Sequence, residues 1–123
     1  MASHLWSEVR ALAKGLVYIE GSFAPDTANA PTALKGVGFT VVHTSTGIFT
    51  VTLDSVYPSI INATATLQLA TAADKVAIVG TIDAAAKTVV IFTLAAGSLA
   101  DIAANANNRV NFTIVCKNSS VTP

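Results

Sequence analysis

Residues 38–53 read Gly-Phe-Thr-Val-Val-His-Thr-Ser-Thr-Gly-Ile-Phe-Thr-Val-Thr-Leu and give the clearest indication of the fold. Two runs rich in alternating apolar residues flank a short segment that ends in Gly47, a residue suited to the left-handed backbone position of a hairpin loop. In the second run Phe49, Val51 and Leu53 fall on one face, and threonines occupy the other. We therefore predict a β-hairpin with a core face and a wetter face.

The same strand-like pattern recurs on both sides of this hairpin. Further strands are predicted at residues 16–23, 62–69, 75–82, 88–94 and 109–117. About seven strands at this spacing predict an all-β fold, a two-sheet antiparallel sandwich of jelly-roll or immunoglobulin-like type. The small side chains of Ala63 and Ala65 imply close approach by a neighbouring sheet or chain.

Three segments between or within these strands carry more specific expectations. Residues 89–92 are continuously apolar, which suggests a strand buried on both faces. Residues 24–31 have the small and polar composition of a surface loop. Residues 95–108 form a long connection rich in Ala and Asn, for which we considered one helical turn at residues 99–103.

The first fifteen residues differ from the rest of the chain. Leu5, Val9, Leu12 and Leu16 recur at helical spacing, and Gly15 is placed to end a helix. We therefore divide the chain into a short helical or extended N-terminal arm, residues 1–15, and a β-sandwich domain, residues 16–123.

The composition favours an assembly component over an enzyme. Only 11% of the 123 residues are charged, whereas soluble domains carry about a quarter. The excess apolar surface must be buried, and we expect neighbouring subunits of a cyclic homo-oligomer, a trimer, to bury it. Seven basic residues balance seven acidic ones, which argues against nucleic acid as a partner. The charge-free stretches are rich in Thr and alternate with period two, which argues against a membrane.

A search for catalytic or metal-binding patterns returns none that is specific. Most of the seven carboxylates fall at predicted turns, and Asp101 beside an Asn-rich loop is better explained by turn chemistry than by calcium. His43 has neighbouring hydroxyls but no nucleophile elbow, and we expect it at a strand end near solvent. Cys116 alternates in phase with apolar residues and is expected to be a small buried hydrophobe. We predict no catalytic residues, no cofactor and no metal site.

Several motifs carry a resemblance to a known class of proteins. They are Lys-Gly-Val-Gly-Phe-Thr-Val at 35–41, Thr-Gly-Ile-Phe-Thr-Val-Thr-Leu at 46–53, Tyr-Pro at 57–58, Asn-Asn-Arg-Val-Asn-Phe-Thr-Ile-Val at 107–115 and Asn-Ser at 118–119. With these motifs the chain resembles small structural proteins of tailed bacteriophages, in particular capsid decoration (cement) proteins. Such proteins usually form trimers on the outside of heads or sit in fibres, and the likeness covers roughly residues 16–120.

The resemblance implies a virion protein that decorates and stabilises a phage capsid as an oligomer bridging neighbouring capsid subunits. Its partners would be copies of itself and the major capsid protein, and its place the outer capsid surface after synthesis in the host bacterial cytoplasm. The alternative is a tail or fibre component that contacts the host surface. A small β-sandwich enzyme or a sugar-binding module remains a third class.

The arm supplies the candidate interface residues Leu5, Trp6, Val9 and Leu12. They form an apolar group on a segment too short to be a stable isolated helix, so the segment needs a surface on which to fold. Trp6 is the natural anchor, because large aromatic residues carry much of the binding energy of interfaces. The alternative is that the arm packs across its own sheet.

Overall fold

The computed structural model describes residues 15–25, 31–103, 105 and 107–117, and within these ranges the chain contains strands, turns and irregular segments but no helix. The strands, in chain order, are β1 (Leu16–Ala24), β2 (Thr32–Lys35), β3 (Phe39–Ser45), β4 (Ile48–Leu53), β5 (Ser59–Gln68), β6 (Lys75–Asp83), β7 (Thr88–Ala95), β8 (Ser98–Leu99) and β9 (Arg109–Lys117). The predicted all-β class is therefore confirmed.

The strands form two antiparallel sheets that pack against each other. The first sheet has the strand order β2-β1-β9-β5, so the first long strand and the last lie side by side at its centre. The second has the order β3-β4-β7-β6, and the short β8 pairs with the end of β7 beyond the last residue that β4 pairs. The predicted two-sheet antiparallel sandwich is confirmed.

Strict alternation along the strands builds the core. The buried apolar side chains are those of Ile19, Phe23, Phe39, Val41, Phe49, Val51, Leu53, Ala77, Val89, Ile91, Val110, Phe112, Ile114 and Cys116. Aromatic rings link the two sheets at its centre, since Phe23 lies 5.1 Å from Phe49 and Phe39 lies 4.9 Å from Phe112, centroid to centroid. Tilted and edge-on pairs of this kind add to the stability gained from buried area.

The hairpin predicted from residues 38–53 is present as β3 and β4. Gly47 has φ +69°, and a Cβ at this position would lie 2.7 Å from the backbone nitrogen of Ala100. Both observations explain why glycine stands there. The strands predicted at 75–82 and 88–94 are present as β6 and β7 and pair antiparallel, and the inward direction of Phe49, Val51 and Leu53 is confirmed by their burial.

Three expectations about segments differ from the structure. The helical turn considered at residues 99–103 is wrong: Leu99 belongs to β8, and Asp101 to Ala103 are irregular. The double burial expected for residues 89–92 is wrong for half of them, because Val90 and Phe92 point outward and are only half-buried. The short exposed strand β2 was not predicted.

Two expectations fall on residues that the structure does not describe. Of the predicted loop at 24–31, residues 26–30 lie outside the described ranges, and Pro25 and Pro31 on either side are buried. Of the predicted arm at 1–15, only Gly15 is described. The division of the chain into an arm and a domain therefore stays a prediction.

Candidate functional site

The outward side of the second sheet presents a continuous apolar surface, which we call the apolar face. It consists of Val42, Ile48, Val76, Ile78, Val90, Phe92, Leu94 and Leu99. These side chains belong to β3, β4, β6, β7 and β8, and they point away from the core. Because an outward face of an antiparallel sheet is normally polar, this is the least expected surface of the described molecule.

The strand registers assemble the apolar face from residues far apart in sequence. Phe92 of β7 pairs with Ile48 on one side and Ile78 on the other, which gives an apolar row across three strands. The next row lies two residues further along β7, where Leu94 pairs with Leu99 on one side and Val76 on the other. One step in the opposite direction, Thr50 lies between Val42 and Val90, and here the face becomes partly polar.

Four members of the apolar face are strongly exposed. The exposed fractions are 55% for Val42, 47% for Val76, 44% for Ile78 and 46% for Leu99. Because its members lie in adjacent register positions, these exposed side chains form one contiguous apolar patch. Apolar side chains scattered singly are normal on a protein surface, whereas a contiguous patch calls for an explanation.

The apolar face carries no charge. No Asp, Glu, Lys or Arg occupies its rows, and the next row along the sheet consists of Thr40, Thr52, Thr88 and, at the β6 edge, Asp83. An uncharged apolar centre with polar and charged side chains at its border is the usual composition of a protein interface, whose core is depleted of charged residues. The arrangement therefore suits packing against another uncharged protein surface.

The described residues include no cluster of three or more His, Cys, Asp or Glu side chains able to hold a metal ion, and none of their segments is a helix able to span a membrane. Cys116 is fully buried, as predicted, and burial raises the pKa of its thiol. A protonated thiol shut off from solvent is a poor nucleophile.

His43 and Asp101 are the one pair of described side chains within ion-pair distance, and the place of this pair corrects the expectation for His43. The histidine is part-buried rather than near solvent: its Nε2 lies 2.9 Å from Asp101 Oδ1, and its ring packs 5.2 Å from that of Phe49. A catalytic triad has a carboxylate on one imidazole nitrogen and a nucleophile on the other. Among the described residues the His43 ring is hydrogen-bonded to Asp101 only, through Nε2. The pair fastens the segment after β8 to the β3–β4 hairpin.

The candidate interface residues predicted from the sequence and the residues of the apolar face are different sets. Leu5, Trp6, Val9 and Leu12 lie outside the described residues. The apolar face was missed because residues 89–92, which include Val90 and Phe92, were expected to be buried on both faces. The signal that would have found them is the strand pairing, which puts outward apolar residues of three strands in one row.

Comparisons with known proteins add no relative to this description. No protein-family model, no curated protein and no solved structure matches the chain.

Proposed function

We propose that this chain is a structural virion protein that decorates a phage capsid as a homo-oligomer and bridges neighbouring capsid subunits. The observation that carries the proposal is the apolar face, an uncharged surface spread over β3, β4, β6, β7 and β8. A surface of this composition is buried in the working state of a protein, and a protein with such a surface works as part of an assembly.

The sandwich behind the apolar face suits a structural role. Its core is formed by closely packed aromatic and branched side chains, so the outward side chains are held on a rigid support. The residues of the sandwich that resemble phage decoration proteins lie mainly in β3, β4 and β9, and this likeness is the reason for choosing a capsid over other assemblies. The trimer and the major capsid protein as partners are part of the same proposal.

One observation favours the alternative of a tail or fibre component. Tyr18 is 58% exposed on the outward side of the first sheet, opposite the apolar face. Exposed aromatic residues are enriched at recognition surfaces, because the ring offers both an apolar face and a hydroxyl group. A fibre component would use this second surface to meet a host.

The oligomer is tested by placing charge on the apolar face. Val76→Lys combined with Ile78→Lys puts two ammonium groups among uncharged side chains on β6, and both positions are exposed enough for the fold to tolerate lysine. The matched control is Asn62→Lys combined with Thr64→Lys, two exposed positions of β5 on the other sheet with the same spacing along the strand. Light scattering after size exclusion gives the mass of each protein relative to the 12.6 kDa chain.

We expect the wild type and the control to be trimers and the apolar-face variant to be monomeric, with unchanged far-ultraviolet circular dichroism. A monomeric wild type at micromolar concentration would contradict the burial argument. Loss of assembly in the control alone would show that the interface lies on the first sheet.

The virion role is tested separately by electron microscopy of gold-labelled antibodies on intact phage particles. Label over the head surface supports decoration, and label confined to the tail supports the alternative. Absence of the protein from purified particles would overturn both.

A further inference from the structure

The outward side of the first sheet carries a polar depression of about 350 Å³. Its lining consists of Glu20, Gly21, Thr64, Thr66, Asn111, Phe112 and Thr113, which belong to three adjacent strands, β1, β9 and β5. It lies on the opposite side of the sandwich from the apolar face, and the proposed function makes no use of it.

Strand register places five polar side chains on the walls of the depression. Glu20, Thr113 and Thr64 form one row across β1, β9 and β5. Asn111 and Thr66 belong to the next row, which lies two residues along the strands. With strands about 4.8 Å apart and about 6.8 Å between rows on one face, these groups bracket an area of the size of a small ring.

The floor of the depression is formed by backbone atoms, so no side chain fills the space above it. Phe112 is buried in the core, and a Cβ on Gly21 would meet the inward side chains of Phe39 and Phe112. Both residues therefore direct their substituents away from the depression and offer it only main-chain atoms. The short side chains of Thr64 and Thr113 leave the space above this floor open.

The polar side chains around the depression are not occupied by contacts with other described residues. The described ion pair is His43 with Asp101, and Glu20 forms none with a described residue. Glu20, Thr64 and Thr66 are exposed, while Asn111 and Thr113 are half-buried. Tyr18, 58% exposed, stands beside Glu20 on the same face, one row further along β1.

The chemistry of these groups narrows the class of ligand. A phosphate or another anion would meet a carboxylate and no cation among the lining residues, and a divalent metal would find one carboxylate where it needs several oxygen ligands. A purely apolar molecule would strip water from five polar side chains without replacing their hydrogen bonds. An organic cation would pair with Glu20 but would leave four neutral hydroxyl and amide side chains without a matching group. A neutral ligand with several hydroxyl groups matches all five side chains.

We propose that the polar depression binds a carbohydrate. The Glu20 carboxylate accepts hydrogen bonds from two sugar hydroxyls, the Asn111 amide both donates and accepts, and the threonine hydroxyls complete the set. The exposed ring of Tyr18 packs against the C–H face of a neighbouring sugar unit. A few placed polar groups beside an apolar surface are the usual composition of small-molecule sites.

The probe is a panel of neutral sugars, namely glucose, galactose, mannose, N-acetylglucosamine, maltose and lactose, titrated into the ¹⁵N-labelled full chain. We expect at least one sugar to give saturable amide shifts, with a Kd of about 1 mM, that map to β1, β5 and β9 around Thr113. Glu20→Gln and Thr113→Val should weaken that binding about tenfold and about fivefold, because each removes hydrogen bonds to the ligand.

The matched control is Thr52→Val, which makes the same exchange at an outward position of the other sheet and should leave the affinity unchanged. Melting temperatures of all variants show whether the fold is intact. The same titration with inorganic phosphate and with spermidine separates the ligand classes, and neither should produce shifts around Thr113.

The proposal is overturned if none of the six sugars gives saturable shifts, if the shifts map elsewhere, or if only spermidine or phosphate binds around Thr113. Its failure is independent of the proposed function, because oligomer mass and label on the virion are measured without any sugar.

Discussion

Gly47 and Asp101 are 54 residues apart in sequence, and the backbone N–H of Gly47 donates a 2.7 Å hydrogen bond to Asp101 Oδ1. His43 Nε2 donates to the same oxygen at 2.9 Å, so this nitrogen carries the ring proton, since a carboxylate can only accept. Nearby, the Thr93 hydroxyl donates to the carbonyl of Ala100 at 2.7 Å. Together these bonds attach the irregular segment after β8 to the β3–β4 hairpin and β7.

Replacement of Asp101 by Ala should destabilise the domain. It leaves the part-buried Gly47 N–H and His43 Nε2 without their acceptor, and we expect a loss of about 2–3 kcal/mol in the free energy of unfolding. Urea denaturation measures it. The control is Asp54→Ala at an exposed position after β4, which should change stability by less than about 0.5 kcal/mol. Equal losses in the two variants would contradict a specific role for Asp101.

The same carboxylate should contribute a pH-dependent part of the stability. Burial raises the pKa of Asp101, but the hydrogen bonds from Gly47 and His43 and the attraction of His43 outweigh burial and lower this pKa below 3.8, its ordinary value. A group with a lowered folded-state pKa stabilises the fold above its unfolded-state pKa, and this contribution disappears as the pH falls through the folded-state pKa.

Urea denaturation of the wild type and Asp101→Asn between about pH 7 and about pH 2.5 checks this, because the amide cannot titrate. The stability difference between the two proteins should shrink as the pH falls below 3.8. A difference that grows with acid would show that the folded-state pKa of Asp101 is raised instead.

Gly21 should be intolerant of a side chain although its backbone is ordinary. A Cβ there would overlap the ring of Phe39 and lie 2.9 Å from Cζ of Phe112 in the packed core. We expect Gly21→Ala to lower the free energy of unfolding by about 1–3 kcal/mol through overpacking. Gly15→Ala is the control, because nothing lies within 4 Å of its Cβ position. If denaturation shows Gly21→Ala to be neutral, the two sheets are less tightly packed at this point than the distances indicate.

The sequence alone was sufficient to predict the strands whose two faces differ clearly in polarity. In β4, Phe49, Val51 and Leu53 alternate with threonines, and Gly47 marks the turn, so strand, face and hairpin all follow from local chemistry. The same holds for β9, where Cys116 continues the inward series of Val110 and its successors.

The sequence alone could not predict the features that depend on pairing between strands far apart in the chain. In β7 both faces are apolar, so the pattern cannot tell a strand covered on both sides from one that exposes Val90 and Phe92. The role of Asp101 depends on contact with a hairpin 54 residues earlier, which no local motif records. The polar depression likewise exists only because β1, β9 and β5 are neighbours, an order that does not follow their order in sequence.

The thiol of Cys116 should be unreactive in the folded protein. Its side chain is fully buried and burial raises its pKa, so little thiolate is present and the reagent cannot reach it. Ellman's reagent at neutral pH should react with the wild type only at the rate at which the domain opens, and at once in denaturant. The comparison is Val56→Cys, whose added thiol stands at a position 68% exposed and should react immediately. Equally fast labelling of the wild type would mean that β9 opens readily.

The last prediction concerns the arm, which begins fourteen residues before the described chain. If the arm attaches the proposed oligomer to a capsid or a neighbouring subunit, contact is made by its apolar group, which consists of Leu5, Trp6, Val9 and Leu12. Leu5→Ala combined with Trp6→Ala should weaken binding to heads purified without the protein by about 2–4 kcal/mol, the scale of truncated interface anchors.

If the arm binds the capsid rather than its own sandwich, the melting temperature of this variant should stay unchanged, because the described core is built by residues 19–116. Ser7→Ala combined with Glu8→Ala is the matched control, since these residues belong to the other side of the same helical pattern. Co-sedimentation with heads measures binding, and differential scanning calorimetry measures melting. A large drop in melting temperature with unchanged binding would show that the arm packs on its own sandwich.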